Sequence, residues 1–440
     1  MGRRQLILGA HFPGKEQVAW RHPANMSLID VDTFLANARA AERGNMHFLF
    51  LADALTLAEK DGTVLAHTLN GRPDTLNILV TLAGATTNIG FLTTLNVTYN
   101  EPYDLARQIA TFDHLSGGRV AFNLVTSAES TTHPNFRRGD FLDPSQRYVR
   151  AQEFLAISQE LWHSWSGGRA PDPVEAHTTQ FNLRATPALP ESPQGHPVIV
   201  QAGASSEGAE FAARFAEVKY IIPRTIEQAR ADYADVKGRL AKYGRSRDDF
   251  KLIVGQRFVV ADTDAEAHEK FDHLLDLEFT DQAVIEELER LWLRDLSGVD
   301  PDGPLPAIEP DYAALGVYLR RSPSAQKDPY VYIAERRAMA EEAGWSIRQF
   351  VRRATVRPAI VGSPTTVADT IEHWMDTDAA DGFISAPQVV PMSNVEFVDR
   401  VIPLLQEKGI FRTESPRQTL RKSLGLPPGG VRLPAAAVSQ

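Results

Sequence analysis

The stretch that decides the fold is "LSGGRVAFNLVTSAES", residues 115–130. A turn signal at residues 116–118 leads directly into an apolar run, which is typical of the start of a strand. The run holds a single amide side chain and ends in a cluster of hydroxyl side chains. Because a buried amide needs hydrogen-bond partners, the fold must bury this strand and also supply polar neighbours for its centre and its end.

Alternation of side chains gives this strand two different faces. Val120, Phe122 and Leu124 lie on one face, which suits packing against outer helices. Asn123 lies on the other face with smaller side chains, which suits the interior of a barrel near its mouth. The amide bonds either to neighbouring protein groups alone or to a ligand in that mouth, and the spacing does not separate these two interpretations.

Apolar strand-like runs alternate with helical patterns over most of the chain. Strands are expected at residues 6–12, 47–53, 89–98, 119–127 and 196–203, then at "VKYII", at "FKLIVGQRFVVAD" and within "DGFISAP". This alternation predicts parallel strands joined by crossover helices. Burial on both faces explains why these runs are almost continuously apolar.

Polar residues collect at the C-terminal ends of five successive strands. They are His11; Asp53; Thr93, Thr94 and Asn96; Thr126 and Ser127; and Gln201, Ser205 and Ser206. An open doubly wound sheet gathers functional residues near one switch point, whereas a barrel delivers residues from all of its strands to one rim. This pattern, with no GxGxxG after the first strand, predicts an α/β fold, a (β/α)8 TIM barrel with insertions.

The expected domain organisation is one domain over residues 1–426 and a flexible tail at residues 427–440. Insertions are expected around residues 165–197, where several prolines interrupt any periodicity, and around residues 262–355. The second of these contains a long charged helical stretch and then a proline-rich segment. The stretch that begins "AIVGSP" is expected to form a loop, a helix and the last strand.

The composition excludes several classes of site and partner. The chain has 440 residues, and its lack of cysteine excludes disulfides, thiolate metal sites and cysteine nucleophiles. The formal net charge of -10 argues against a nucleic-acid or anionic-membrane partner. No apolar run is long enough for a membrane span and no secretory signal is present, so a cytoplasmic protein is expected. No metal-ligand spacing, GxSxG elbow or P-loop was found, and no metal site is expected.

The stretch "VIVQAGASSEGAEFAARFA" is the clearest ligand candidate. Ser205 is placed to cap the helix that follows. Its hydroxyl, that of Ser206 and the N–H groups of the first helical turn suit a phosphate. Helix capping alone is the competing interpretation, and capping frequencies favour it.

Other candidates stand at strand ends or in a loop beyond them. Asp53 is either a general base or ligand acceptor, or the cap of the next segment. His11 either exchanges protons or bonds a substrate, or it is structural. Arg137 and Arg138 in "NFRRGD" are either an anion site or a solvated charge pair.

The stretch "YNEPYDLARQIATFDHLSGGRVAFNLVTS", residues 99–127, resembles a signature of the bacterial luciferase-like superfamily. More narrowly, it is similar to the nitrilotriacetate monooxygenase component A family of flavin-dependent monooxygenases. Other stretches agree in order along the chain: "AWRHP", "FLAD", "QAGASSEGAEFAA", "IVGSPTTVAD" and "VIPLLQEKGIFRTE". The resemblance therefore spans nearly the whole chain.

This resemblance implies an oxygenase component that binds FMN at the C-terminal rim of its barrel. The reduced FMN comes from a separate flavin reductase and reacts with O2. The substrate is a small organic molecule, oxygenated at a carbon beside nitrogen or sulfur or at a sulfur centre. A homodimer or homotetramer is expected. The alternatives are a deazaflavin- or flavin-dependent oxidoreductase on the same barrel and a non-catalytic flavin-binding protein.

The resemblance also assigns roles to individual residues. It implies a flavin site formed by Asp53, Thr94, Asn123, Tyr148, Ser205 and Ser206, of which the last three contact the phosphate. It implies a catalytic, substrate-facing role for His11. The family's usual "HxxRY" is "PSQRY" here, so Pro144 stands at the position of a histidine. The phosphate motif is retained and the substrate pocket is expected to be divergent.

Overall fold

In the computed structural model the described residues are 3–12, 21–27, 29–55, 59–60, 63–64, 73–127, 135–136, 144–165, 170–312 and 329–433. Eight parallel strands close into a barrel: β1 (Ile7–Phe12), β2 (Phe48–Leu51), β3 (Gly90–Asn96), β4 (Val120–Val125), β5 (Val198–Gln201), β6 (Val218–Ile221), β7 (Lys251–Val260) and β8 (Gly382–Ser385). β8 pairs with β1, which places Gly382 opposite Ile7 and completes the ring. The predicted (β/α)8 barrel is confirmed.

Helices lie on the outside of the barrel and at its N-terminal end. They are α1 (Val31–Arg43), α2 (Thr75–Gly84), α3 (Pro102–Ser116), α4 (Pro144–His163), α5 (Ser206–Phe215), α6 (Ile226–Arg239), α7 (Asp264–Glu278), α8 (Asp281–Trp292), α9 (Pro329–Glu342), α10 (Ile347–Thr355), α11 (Pro364–Asp376), α12 (Met392–Arg400), α13 (Ile402–Glu407) and α14 (Leu420–Ser423). Each of α1 to α6 follows the strand of the same number, and α11 precedes β8. In the described ranges, no helix has the length and apolarity needed to cross a membrane.

The opening stretch folds as its pattern predicts. Gly117 ends α3 with φ 72°, and Gly118 follows with φ 84°, a left-handed conformation that favours glycine. The three bulky side chains of β4 pack in the core beneath the helices. Ala121 packs with the side chains inside the barrel. Because residues alternate, Asn123 also faces the interior.

The C-terminal segment fills the N-terminal end of the barrel. Leu420, Leu424 and Leu426 pack against interior side chains that include Ile7 and Phe48. This apolar contact holds the end of the described chain on the barrel, since burying each leucine contributes roughly 1.5–3 kcal/mol.

Residues 427–433 continue over α4. Gln159 donates to the carbonyl of Val431 at 2.8 Å and accepts from the N–H of Leu433 at 2.9 Å. The rest of the tail, residues 434–440, lies outside the described residues, so the mobility of residues 427–440 stays a prediction. The division into one domain with two insertions likewise stays a prediction.

Four local elements differ from the sequence expectation or were not anticipated. Val174–His177 and Asn182–Ala185 form an antiparallel hairpin before β5. Glu59–Lys60 pairs with Thr63–Val64. Ala359–Gly362, expected as a loop, is a strand that pairs with the second half of β7, because that strand extends beyond its barrel partners. The long helical stretch after β7 is two helices, since Thr280 caps α8 by accepting from Ala283 N.

Candidate functional site

Two polar side chains meet on the inner face near the C-terminal ends of β3 and β4. Thr94 and Asn123 are paired in register, and Asn123 Nδ2 donates to Thr94 Oγ1 at 3.1 Å. Both side chains are buried. Asn123 Oδ1 is buried without a hydrogen-bond partner among the described residues. Because such an oxygen is costly to bury, it marks a position where a ligand N–H or O–H group fits.

His11 lies at the C-terminal end of β1 with its ring fixed. It is 1% exposed, it stacks on Phe50 with 4.8 Å between ring centroids, and its Nδ1 is 3.1 Å from the Phe50 carbonyl oxygen. Because that carbonyl can only accept, Nδ1 carries a proton. These two contacts fix the orientation of the ring at the end of β1.

The rim between β3 and β4 is held together by side chains beyond the strands. Asn96 Nδ2 donates to Ser127 Oγ, and Asn96 Oδ1 accepts from Thr98 N at 2.7 Å. Arg147 of α4 donates to the Ser127 carbonyl at 3.1 Å. Asp53 is half-buried, two residues beyond β2 at the same rim. These bonds therefore hold the rim in place around Thr94, whose side chain faces the barrel interior.

The loop between β5 and α5, residues 202–205 and hereafter the β5–α5 loop, brings Ser205 next to Tyr148. Ser205 caps α5 by accepting from Gly208 N at 3.1 Å. The Tyr148 hydroxyl packs against both glycines of this turn: a Cβ at Gly203 would lie 2.6 Å from it, and one at Gly208 2.7 Å. Only glycine leaves room for the tyrosine, and this contact places a phenol beside the N-terminus of α5.

Ser206 has a different environment from Ser205. It is exposed, and its Oγ accepts from Arg239 Nη2 at 3.4 Å. Arg239 is itself paired with Asp235 and Glu210, each at 3.0 Å. Tyr148, Ser206 and Arg239 line a groove of about 530 Å³. Ser205 thus caps α5, and Ser206 lies beside a cation that the sequence analysis did not single out.

Lys219 is a second basic residue that the sequence analysis did not single out. It lies in β6 and is 4% exposed, and its Nζ donates to the Gly203 carbonyl at 2.7 Å. Burial lowers the pKa of Lys219 to about 8, against the opposing effect of Asp232 and Asp235. Its sequence signal was a lysine inside the apolar run "VKYII".

The predicted site residues therefore form two groups on one rim. His11, Thr94 and Asn123 face the barrel interior, and Asp53 lies at the same end. Tyr148, Ser205 and Ser206 gather at the β5–α5 loop. Arg137 and Arg138 lie outside the described residues, and α4 begins at Pro144.

A cavity of about 660 Å³ lies at the other end of the barrel. It is lined by Asp381, whose carboxylate accepts from Leu252 N at 2.7 Å and pairs with Lys237 at 3.1 Å and with Arg4 at 2.5 Å. These groups neutralise one another at the N-terminal ends of β7 and β8. They do not approach the rim that holds Asn123 and Ser205.

Comparison with known proteins identifies the family. The family model described as luciferase-like monooxygenase matches residues 11–381. The chain belongs to the luciferase-like monooxygenase family. The expected membership of this family is confirmed, and so is the predicted enzyme class, a flavin-dependent monooxygenase.

Relatives of this luciferase-like monooxygenase match over almost their full length. Nitrilotriacetate monooxygenase component A of Aminobacter aminovorans is 37% identical over an alignment of 448 positions, which covers 96% of this chain and 94% of that protein. N-acetyl-S-(2-succino)cysteine monooxygenase of Bacillus subtilis is 34% identical over an alignment of 446 positions, which covers 96% of this chain and 97% of that protein. The crystal structure of a riboflavin lyase with modified FMN and riboflavin superposes with a TM-score of 0.81 at 25% identity and covers 99% of both chains.

Proposed function

We propose that this protein is the oxygenase component of a two-component, FMN-dependent monooxygenase system. It takes reduced FMN from a separate flavin reductase, uses O2, and oxygenates a small organic substrate at a carbon beside nitrogen or sulfur, or at a sulfur centre. The observation that carries the proposal is the unpartnered oxygen of Asn123 beside Thr94 at the barrel mouth.

The residues at the rim fit the two chemically different ends of FMN. Asn123 Oδ1 is an acceptor, and the flavin ring offers an N–H donor of the kind that this oxygen needs. Ser205 and Tyr148 stand at the N-terminus of α5, where backbone N–H groups and the helix dipole favour a phosphate. We assign Asp53 to the ring end and Ser206 to the phosphate end.

Reduced FMN, when bound, supplies the electrons that activate O2. The protein binds and orients: Thr94 and Asn123 hold the ring at the mouth, and the apolar interior around Phe50 excludes water from beneath it. We assign to His11, whose ring is fixed by Phe50, a catalytic role in which it exchanges a proton or a hydrogen bond with the substrate.

The names of two relatives support the proposed substrate class. Nitrilotriacetate carries carbon atoms bound to nitrogen, and N-acetyl-S-(2-succino)cysteine carries carbon atoms bound to sulfur. The proposal further includes a single domain over residues 1–426, assembled as a homodimer or homotetramer in the cytoplasm, which meets its reductase only to receive FMN.

The test is a stopped-flow experiment. The protein loaded with reduced FMN is mixed with oxygenated buffer, and flavin absorbance is followed against free reduced FMN. Flavin reoxidation is expected to be slower on the protein, because the apolar barrel interior excludes water from one face of the bound ring, and to accelerate when N- or S-substituted carboxylates are added. With isotopically labelled O2 and a reductase, mass spectrometry should find one labelled oxygen atom in the product.

Other outcomes separate the alternatives. Reoxidation at the rate of free reduced FMN, with FMN demonstrably bound and no labelled product, would establish a non-catalytic flavin-binding protein. Tighter binding of a deazaflavin than of FMN would identify a deazaflavin-dependent oxidoreductase.

A further inference from the structure

The peptide of Gly203 is held from three directions. Its N–H donates to Gln201 Oε1 at 2.5 Å, and its carbonyl accepts from Lys219 Nζ at 2.7 Å. The third contact is the Tyr148 hydroxyl, which fills the space where a Cβ would stand. Gly203 lies two residues before Ser205, so these contacts fix the entry of the chain into α5.

Lys219 is the charged member of this arrangement. Its neighbours Val218 and Tyr220 point into the barrel, so Lys219 points outward, between the strand and the covering helices. Among the described residues, no carboxylate forms an ion pair with its ammonium within 4.0 Å, although Asp232 and Asp235 of α6 act on it from further away. A buried ammonium that bonds to a carbonyl without an adjacent carboxylate is expensive, which calls for a functional reason.

The other charged groups near Lys219 do not supply that reason. Asp235 is committed to Arg239 at 3.0 Å, and Arg239 also repels the lysine. Burial raises the pKa of Asp232, an effect that the charge of Lys219 opposes. The ammonium of Lys219 is directed at the Gly203 carbonyl of the β5–α5 loop.

We propose that Lys219 is a positioning residue for the phosphate of FMN. Its ammonium fixes the Gly203 carbonyl, and thereby the N–H groups at the start of α5, and it places a positive charge behind the loop. This inference rests on the proposed FMN site. Its consequence is selectivity, because the lysine strengthens binding of FMN and leaves riboflavin, which lacks the phosphate, almost unaffected.

The proposal gives a pH dependence with a defined sign. Burial lowers the pKa of Lys219 to about 8, and a bound phosphate dianion favours the ammonium form. Affinity for FMN is therefore highest below about pH 8 and falls as the pH rises through that value, since binding must then also recruit a proton. Asp232, Asp235 and Arg239 shift the position of this transition and do not reverse it.

The experiment is a fluorescence titration of oxidised FMN and of riboflavin, at about pH 7 and about pH 9, because both flavins share one ring and differ by the phosphate. Lys219→Met should weaken FMN binding roughly tenfold at about pH 7 and change riboflavin binding less than twofold. Lys219→Arg stays charged and should retain FMN affinity without the decline toward about pH 9 that wild type shows.

The matched control is Lys237→Met. Lys237, in α6, is buried like Lys219. It donates to the Arg247 carbonyl at 2.7 Å and pairs with Asp381 at the opposite end of the barrel. This variant should lower stability and leave the ratio of FMN to riboflavin affinity unchanged. A stability measurement on Lys219→Met by urea unfolding keeps a folding defect apart from a binding defect.

The outcomes separate the two proposals. If wild type binds FMN no better than riboflavin and neither binding depends on Ser205, the FMN site itself is wrong. If wild type binds FMN tightly and Lys219→Met has the same ratio of FMN to riboflavin affinity as wild type, the FMN site stands and the role of Lys219 is overturned.

Discussion

The two ends of the barrel bury different kinds of polar groups. At the N-terminal end, charges meet opposite charges: the Arg421 guanidinium pairs with Glu217, whose carboxylate also accepts from Ile199 N at 2.9 Å, and Asp381 meets two cations. At the C-terminal end, Asn123 Oδ1 has no partner among the described residues. The N-terminal end neutralises its buried charges in pairs, and the C-terminal end keeps an amide oxygen that a ligand can complete.

More polar atoms near the C-terminal end share this property. Gln256 pairs in register with Ser385, the last residue of β8, and its Oε1 is buried without a partner among the described residues. Both polar atoms of Gln388, just beyond β8, are in the same condition. The stabilising ion pairs therefore lie where the strands begin, and the groups available to bind a ligand lie where the strands end.

The largest effect is expected from breaking the neutralised end. Arg421→Ala leaves the buried Glu217 carboxylate uncompensated and should lower the free energy of unfolding by about 3–5 kcal/mol, measured by urea unfolding. The control is Arg184→Ala, which removes an exposed pair with Glu175 at 2.7 Å and should cost less than about 1 kcal/mol. Equal losses in the two variants would contradict the comparison. FMN affinity of the folded Arg421 variant should stay unchanged.

The next effect is a pH dependence at the same end. Burial raises the pKa of Asp113 to about 6, although its Oδ1 accepts from Val120 N at 3.1 Å and from Gln194 Nε2 at 2.8 Å. The folded state therefore binds a proton more tightly than the unfolded state, so this group's contribution to stability falls as the pH rises from about 4 to about 6. Above that range the loss is roughly 3 kcal/mol.

Asp113→Asn mimics the protonated acid and sharpens that prediction. Its free energy of unfolding relative to wild type should rise by up to about 3 kcal/mol between about pH 4 and about pH 7. Urea unfolding at several pH values measures it. A difference that stays constant with pH would show that the buried carboxyl does not titrate in this window.

A smaller effect is expected at the C-terminal end, where a substitution should change FMN binding and leave stability intact. Asn123→Leu removes the unpartnered oxygen, so stability should be unchanged or slightly higher while FMN binding weakens roughly tenfold. The control is Asn394→Leu, because Asn394 is buried with both polar atoms bonded, to Asn37 at 2.8 Å and to Ser385 at 2.7 Å. That variant should lose stability and keep its FMN affinity; loss of stability in both variants would contradict the assignment.

The smallest effect separates capping from phosphate binding. Ser205→Ala and Thr225→Ala each remove the N-cap of a helix, α5 and α6 respectively, and each should cost about 1 kcal/mol of stability. Only Ser205→Ala should weaken FMN binding relative to riboflavin, by a few-fold. Identical FMN titrations for the two variants would leave Ser205 as a cap alone.

Much of the fold was predictable because it depends on local periodicity. The apolar runs and helical patterns predicted all eight barrel strands within a few residues, and the alternation in β4 placed Asn123 on the inner face. The strand Ala359–Gly362 was missed because it is short and forms only against the projecting half of β7. The hairpin before β5 was missed because its strands are short and prolines on both sides interrupt the pattern.

Strand alternation and ordered motifs lie in consecutive residues, so they were enough to predict the barrel, the family and the rim on which Asp53, Thr94 and Ser205 lie. The contacts of each polar atom could not be predicted in this way. The contact of Tyr148 with Gly203 and the bond from Lys219 to the same glycine join separate elements. Whether a buried polar group is satisfied depends on neighbours from other strands and helices, and no local pattern contains that information.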